Sequence, residues 1–122
     1  MTLALLVSIA AGLGAVARYV LDSVIQHRHR GSFPVGTLTI NLVGSFVLGL
    51  VTGLATHHGL GSRTTIVAGV GFCGGFTTFS TWMWESLVLV QNRALRAAML
   101  NTFGSMVLGL VAAGAGLGLA RL

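Results

Sequence analysis

Four long stretches without arginine, lysine, aspartate or glutamate limit what this chain can fold into. They are Met1–Ala17, Gly31–Ser62, Thr64–Trp84 and Ala97–Ala120. A helix that crosses a bilayer needs about 20 apolar residues, so each stretch can supply the core of one such helix. The 122 residues leave no room for a separate soluble domain.

The composition agrees with a membrane protein. Charged residues make up 7% of the chain, against roughly 25% in soluble domains, and the mean hydropathy is +0.90. The net charge of +5 could indicate a nucleic-acid partner. The arginines, however, are scattered at the ends of the uncharged stretches, where they suit anchors at headgroup level. We therefore expect a lipid bilayer around the chain and no nucleic acid as a partner.

The predicted fold is an all-α membrane protein with a single transmembrane domain over residues 1–122. Its four helices are expected over Leu3–Ile25, Val35–Ala55, Thr64–Val90 and Arg96–Leu119. The third helix is expected to be broken between Cys73 and Thr78, near mid-membrane.

The predicted break follows from the residue types between Gly69 and Trp82. This segment is rich in glycine and hydroxyl residues, which are poor material for an uninterrupted helix. Lipid tolerates a broken backbone only where the freed polar groups face protein or a water-filled cavity. Such a break at membrane depth can hold an ion, so the segment is predicted to be an ion site.

Small and polar residues recur at helical spacing in the second and fourth helices. The stripe of the second helix is Thr37, Asn41, Ser45, Gly49 and either Thr52 or Gly53. That of the fourth helix is Asn101, Ser105, Gly109, Ala113 and Gly116. Such a stripe indicates either close helix packing or the lining of an ion path. Asn41 favours the second interpretation for its own stripe, because its amide needs polar partners at membrane depth.

Arg18 and Asp22 in the first helix are four residues apart and therefore share one helix face. They act either as anchors at the membrane interface or with Arg18 turned inward towards polar backbone.

The small size of the chain predicts that it assembles with a second copy. Two polar stripes and a broken helix are more than one copy of four helices can shield from lipid, so a two-fold dimer is expected. The arginines are nearly balanced between the two membrane sides, which suits insertion in both orientations and an antiparallel dimer.

Three blocks of the sequence resemble the Fluc (CrcB) fluoride-channel family. The blocks are Gly14–Arg18, Pro34–Phe46 and Gly71–Thr81, the last followed by Glu85. The likeness covers nearly the whole chain, with the blocks in the family's order. It implies an antiparallel, dual-topology homodimer with two pores, which lets fluoride leave the cytoplasm passively across a prokaryotic plasma membrane and so relieves fluoride toxicity.

The resemblance also implies roles for individual residues. A structural sodium ion at the dimer centre would be held by the main-chain carbonyls of Gly74 and Thr77. Asn41 and Phe79 match pore residues, Glu85 a vestibule glutamate and Arg18 the helix 1 arginine. Hydroxyl residues match positions along or beside the ion path, namely Thr37, Ser80, Thr81 and Ser105.

The chain departs from the family pattern at two positions. Trp82 stands where the family has the second phenylalanine of its pore pair, and Asn101 where a tyrosine is common. Because an aromatic edge is positive and tryptophan adds an N–H donor, we expect Trp82 to keep contact with the anion.

Two other functions remain open from the residues alone. A dual-topology, proton-coupled multidrug exporter would need a carboxylate deep in the first helix, where the chain has only Asp22 near the end. A small assembly subunit would carry no ion at all. No nucleophile–base pair or metal cluster is apparent, so no enzymatic activity is predicted.

Overall fold

Four long helices account for most of residues 2–122, the part of the chain that the computed structural model describes. Helix α1 spans Thr2–Arg28 and α2 spans Val35–His58. Helix α3 lies within Ser62–Gln91 and α4 within Leu95–Leu119. All four are long and apolar enough to cross a membrane, which confirms the predicted four-helix, all-α architecture.

Helix α3 is bent because its helical backbone stops at Thr77 and resumes at Ser80. Its first half, residues 62–76, includes a π-helical stretch over Val67–Cys73, and its second half is Ser80–Gln91. Thr77 has an extended backbone, with φ −80° and ψ 162°. The predicted interruption is therefore confirmed, but its predicted start at Cys73 is wrong, since the chain is still helical from Gly74 to Phe76.

The close contact of α1 with the first half of α3 explains why the glycines there do not break the helix. A Cβ atom on Gly75 would overlap the main-chain oxygen of Ala11, and one on Gly14 would overlap the carbonyl of Phe72. Glycine here allows two backbones to approach each other, as in other membrane helix pairs.

The small-residue stripes of α2 and α4 face each other and serve different purposes at their two ends. Towards the C-termini of both helices they form a tight seam, where Gly49 meets the carbonyl of Ala113 and Gly116 meets that of Phe46. Nearer the N-termini, Asn41 and Ser105 instead border an open cleft. In both stripes, therefore, the residues towards the C-terminus pack the two helices together, and those nearer the N-terminus line the cleft.

The outer surface of the bundle is apolar, as lipid contact requires. Large hydrophobic side chains stand exposed on every long helix, among them Val16, Val43, Val70 and Val111. Among residues 2–122, the largest fully buried side chains are those of Ile40, 1% exposed, and Asn101, 0% exposed. The interior is thus small, and one of these two side chains is polar.

We predict that Gly116→Ala lowers the stability of the protein in detergent by about 1–3 kcal/mol, the usual cost of overpacking a tight contact. The added methyl group would collide with the Phe46 carbonyl and the Leu50 nitrogen. The measurement is thermal unfolding followed by circular dichroism.

The matched control is Gly114→Ala, two residues earlier on α4, where an added Cβ has no atom within 4 Å among the described residues. It should unfold at or slightly above the wild-type temperature, because alanine favours helix over glycine. Equal losses in the two variants would contradict the proposed seam.

Candidate ion path

The side-chain amide of Asn41 stabilises the interruption of α3 through two hydrogen bonds. The Oδ1 atom of Asn41 accepts the Thr78 N–H at 2.9 Å, and Nδ2 donates to the Thr78 carbonyl at 2.9 Å. In a continuous helix the Thr78 N–H would donate to the carbonyl of Gly74. Asn41 thus takes the place of helix partners on both sides of one peptide unit, so the backbone can leave the helix without losing hydrogen bonds.

Arg18 turns inward from α1 and contacts the same interruption. Its Nη1 atom donates to the Thr77 carbonyl at 3.1 Å, and the Thr77 hydroxyl donates back to the carbonyl of Cys73 at 2.9 Å. The guanidinium carries a positive charge, so this bond places that charge at the break.

The second half of α3 begins with a side-chain contact of its own. The Thr78 hydroxyl donates to the Thr81 hydroxyl at 3.1 Å and accepts the Thr81 N–H at 3.3 Å. This satisfies one of the N–H groups that a helix leaves without a partner in its first turn.

A central cleft of about 440 Å³ opens beside the interruption, between α2, α3 and α4. It brings together six of the residues that were predicted from the sequence as ion-path or sodium-site residues. They are Asn41, Gly74, Thr77, Phe79, Trp82 and Ser105. The cleft walls combine amide, hydroxyl and aromatic groups with the apolar side chains of Leu48, Met106 and Leu110.

The two aromatic residues of the central cleft stand at right angles. The ring centroids of Phe79 and Trp82 are 5.6 Å apart and the ring planes make an angle of 81°, which is a favoured edge-to-face geometry. Phe79 is 70% exposed on the single chain. The indole N–H of Trp82 donates to the main-chain carbonyl of Asn101 at 2.8 Å, so in this structure it is directed at α4.

A second cleft of about 410 Å³, the loop-end cleft, lies under the α1–α2 connection. It is lined by Thr37 and Glu85, together with Asp22 and Trp84. The Thr37 hydroxyl donates to Glu85 Oε1 at 2.9 Å, and among residues 2–122 no hydrogen-bond partner reaches the buried Oε2. Thr37 and Asn41 are one helical turn apart on α2, so the two clefts are neighbours along that face.

Three predicted residues line neither cleft on the single chain: Arg18, which bonds the interruption from α1, and the hydroxyl residues Ser80 and Thr81. Ser80 and Thr81 are exposed, and neither lines the central or the loop-end cleft. The structure therefore gathers most of the predicted residues into two adjacent cavities and leaves these two hydroxyl residues on the surface.

Sequence reasoning missed a buried polar cluster next to the central cleft. Asn101 is fully buried, and its Nδ2 atom donates to the Ser86 hydroxyl at 2.9 Å. Ser86 in turn donates to the main-chain carbonyl of Trp82 at 2.9 Å, and Ser105 reaches Asn101 Oδ1 at 3.4 Å. The four-residue spacing of Asn101 and Ser105 was visible in the sequence, but their partners on α3 were not.

Comparison with known proteins identifies the family of the chain. The family model described as "CrcB-like protein, Camphor Resistance (CrcB)" matches residues 5–117. The chain belongs to the CrcB family.

Three proteins that are similar to this chain are named as fluoride-specific ion channels. "Fluoride-specific ion channel FluC 1" of Leifsonia xyli subsp. xyli is 56% identical, covering 97% of this chain and 86% of the relative. Two proteins named "Fluoride-specific ion channel FluC 2" are also similar. The protein from Mycolicibacterium paratuberculosis is 44% identical, over 95% of this chain and 92% of the relative's length. That of Cutibacterium acnes is 45% identical, over 93% of each. These relatives are named as ion channels, which are not enzymes.

We predict that Asn41→Ala speeds hydrogen–deuterium exchange at residues 77–79 by about tenfold, because the Thr78 N–H and carbonyl lose their partners. The measurement is exchange in detergent micelles, read by mass spectrometry of the peptide that covers the break.

Thr39→Ala is the control on the same helix, since the Thr39 hydroxyl donates only to the carbonyl of Val35 in its own helix. Its exchange at residues 77–79 should match the wild type. Unchanged exchange in Asn41→Ala would show that the amide does not stabilise the break.

Proposed function

We propose that this protein is a fluoride-selective channel that lets fluoride leave the cytoplasm passively across the plasma membrane and so relieves fluoride toxicity. The relatives are named as fluoride-specific ion channels. The observation that carries the proposal is the interruption of α3 within its membrane span, opening onto a cleft that Asn41 and Phe79 line.

The central cleft supplies the groups that a small, strongly hydrated anion needs. Moving an ion out of water is costly unless donors replace its water shell. Asn41 has two amide hydrogens, of which one donates to the Thr78 carbonyl and the other is available to an ion. The Ser105 hydroxyl lines the cleft and makes only a long contact, 3.4 Å, with Asn101 Oδ1, so an ion could take its hydrogen instead. The ring edge of Phe79 is positive.

The second half of α3 also favours an anion at the break. A helix carries partial positive charge at its N-terminus and partial negative charge at its C-terminus. The second half of α3 begins at Ser80, next to Phe79, and so directs its positive end at the interruption. Broken membrane helices in transporters bind anionic groups in the same way, and the Arg18 guanidinium adds to the positive potential.

The loop-end cleft is the proposed mouth of the path. Thr37 and Glu85 would line it, with Thr37 holding one carboxylate oxygen in place. Because Thr37 lies one turn from Asn41 on the same face of α2, an ion passing Glu85 would next meet the Asn41 amide.

A second copy in antiparallel orientation would complete the channel. On the single chain, Gly74, Phe79, Ser80 and Thr81 are all exposed, although lipid cannot satisfy the polar groups of an open break. An antiparallel partner related by a two-fold axis would cover them and repeat the path, giving two pores per homodimer.

The carbonyls at the break fit a structural sodium ion at the centre of such a dimer. Hard cations prefer oxygen ligands, and the Gly74 carbonyl is relieved of its usual helix donor because the Thr78 N–H goes to Asn41. The Thr77 carbonyl accepts one bond from Arg18 and keeps a second lone pair. Both carbonyls lie at the C-terminal, negative end of the first half of α3. The ion would supply a fixed positive charge that offsets part of the cost of an anion in a low-dielectric region.

We expect purified wild-type protein in liposomes to release fluoride but not chloride, and Phe79→Ile to reduce fluoride release by at least about tenfold. Isoleucine keeps the bulk but removes the positive ring edge, so the ion loses a contact in the central cleft. The measurement is efflux recorded with fluoride- and chloride-selective electrodes.

The matched control is Phe103→Ile, an exposed phenylalanine of α4 that lines neither cleft. It should release fluoride as the wild type does. Equal release of chloride by the wild type would refute selectivity. Loss of transport in Asp22→Asn with normal transport in Asn41→Ala would instead support the exporter.

The antiparallel arrangement predicts that Leu122→Cys is labelled from both sides of the membrane. Leu122 is 95% exposed and the native Cys73 is buried, so an impermeant maleimide should modify about half of the chains in vesicles of uniform orientation.

An added arginine next to Arg63 provides the control for topology. Gly61→Arg lies in the exposed α2–α3 connection, where a side chain has open space among the described residues. It should shift the labelled fraction away from one half and reduce fluoride release, because fewer antiparallel pairs can form. Labelling of all or none of the Leu122→Cys chains in an otherwise wild-type protein would refute dual topology.

A further inference from the structure

The indole of Trp82 is fixed on α4 by a closed set of hydrogen bonds. Its N–H donates to the Asn101 carbonyl at 2.8 Å, the Asn101 amide donates to Ser86 at 2.9 Å, and Ser86 donates to the Trp82 carbonyl at 2.9 Å. We call these three residues the Trp82 ring of hydrogen bonds. Each of the three residues both donates and accepts within it.

The Trp82 ring of hydrogen bonds is buried, so that water or an ion cannot easily replace the partners within it. Asn101 is 0% exposed and Ser86 is 7% exposed. Asn101 lies in the π-helical turn Leu100–Gly104, where the main-chain hydrogen bonds are rearranged to i→i+5. Breaking such a buried hydrogen bond would leave its donor and acceptor without partners and without water, which costs the full desolvation free energy of both groups.

Phe79 depends on Trp82 for lateral support within the chain. Phe79 is 70% exposed and follows the non-helical stretch, so neither burial nor a continuous helix restrains its ring. Within the described part of the chain, the one aromatic ring in contact with it is Trp82, at 5.6 Å between centroids.

We propose that Trp82 is a positioning residue, which does not donate its indole N–H to the permeating ion but uses that N–H to fix its ring against α4 and so hold the Phe79 ring edge in the central cleft. This inference rests on the proposed fluoride conduction. It assigns the specific contact with the anion to Phe79 and makes Asn101 and Ser86 part of the same positioning device.

The first test is the indole N–H signal of the wild-type protein during a fluoride titration, observed by ¹H–¹⁵N NMR in detergent micelles. The chain has two tryptophans, and Trp84→Phe assigns the remaining signal to Trp82. We expect the Trp82 signal to keep its position as fluoride is added and to exchange slowly with deuterium. A signal that moves with fluoride in a saturable way would overturn the proposal, because the indole would then contact the ion directly.

The second test is fluoride efflux from liposomes with Trp82→Phe, which keeps an aromatic ring but removes the N–H. We expect the maximal rate to fall about two- to tenfold, the range that aromatic pair energies imply, at an unchanged half-saturating fluoride concentration. Thr102→Ala is the control on the same turn of α4, and its rate should equal that of the wild type. A Trp82→Phe rate equal to that of the wild type, or a change in half-saturation alone, would overturn the proposal.

Failure of the inference is distinct from failure of the proposed function. Wild-type liposomes that release no fluoride would refute the channel itself. A conducting wild type whose indole signal follows fluoride would refute only the positioning role of Trp82.

Discussion

The pair of hydrogen bonds between Asn41 and Thr78 is the interaction on which the rest of the structure depends. A helix that stops inside a membrane must find new partners for its polar backbone groups, since lipid provides none. One carboxamide supplies both an acceptor and a donor to a single peptide unit. This contact ends the first half of α3, frees the Gly74 carbonyl and sets Phe79 beside the central cleft, so the site and the bend have one origin.

The helices and the existence of the break could be predicted from the sequence, because both follow from local residue types. The position of the break could not. Gly74 and Gly75 suggested an early interruption, yet they remain helical because α1 lies so close that Gly75 has no room for a Cβ atom. The helix instead ends where an amide 37 positions earlier in the chain captures Thr78. Neither the helix contact nor the amide contact is visible in a local pattern.

The two departures from the family pattern, Trp82 and Asn101, turn out to be in contact with each other. From the sequence they were separate anomalies, and the indole N–H was expected to face the ion. The structure directs that N–H to the Asn101 carbonyl, and the Asn101 side chain is satisfied by Ser86 and Ser105. A large side chain at one position and a compact, polar one at the other share a single site between α3 and α4, which only the tertiary structure reveals.

The two halves of α3 have different attachments. The first half packs closely on α1, whereas the second half contacts the beginning of α4, which is itself joined to α2 along the glycine seam. These two groups of helices also meet where α2 packs against α1 and against the first half of α3. Within α3 itself, however, Thr77, Thr78 and Phe79 are the non-helical link between the two halves, so a displacement of one half relative to the other changes the backbone of these three residues first. The width of the passage beside Phe79 is therefore governed by how firmly whole helices are docked, and lipids or substitutions far from the cleft can alter it through that docking.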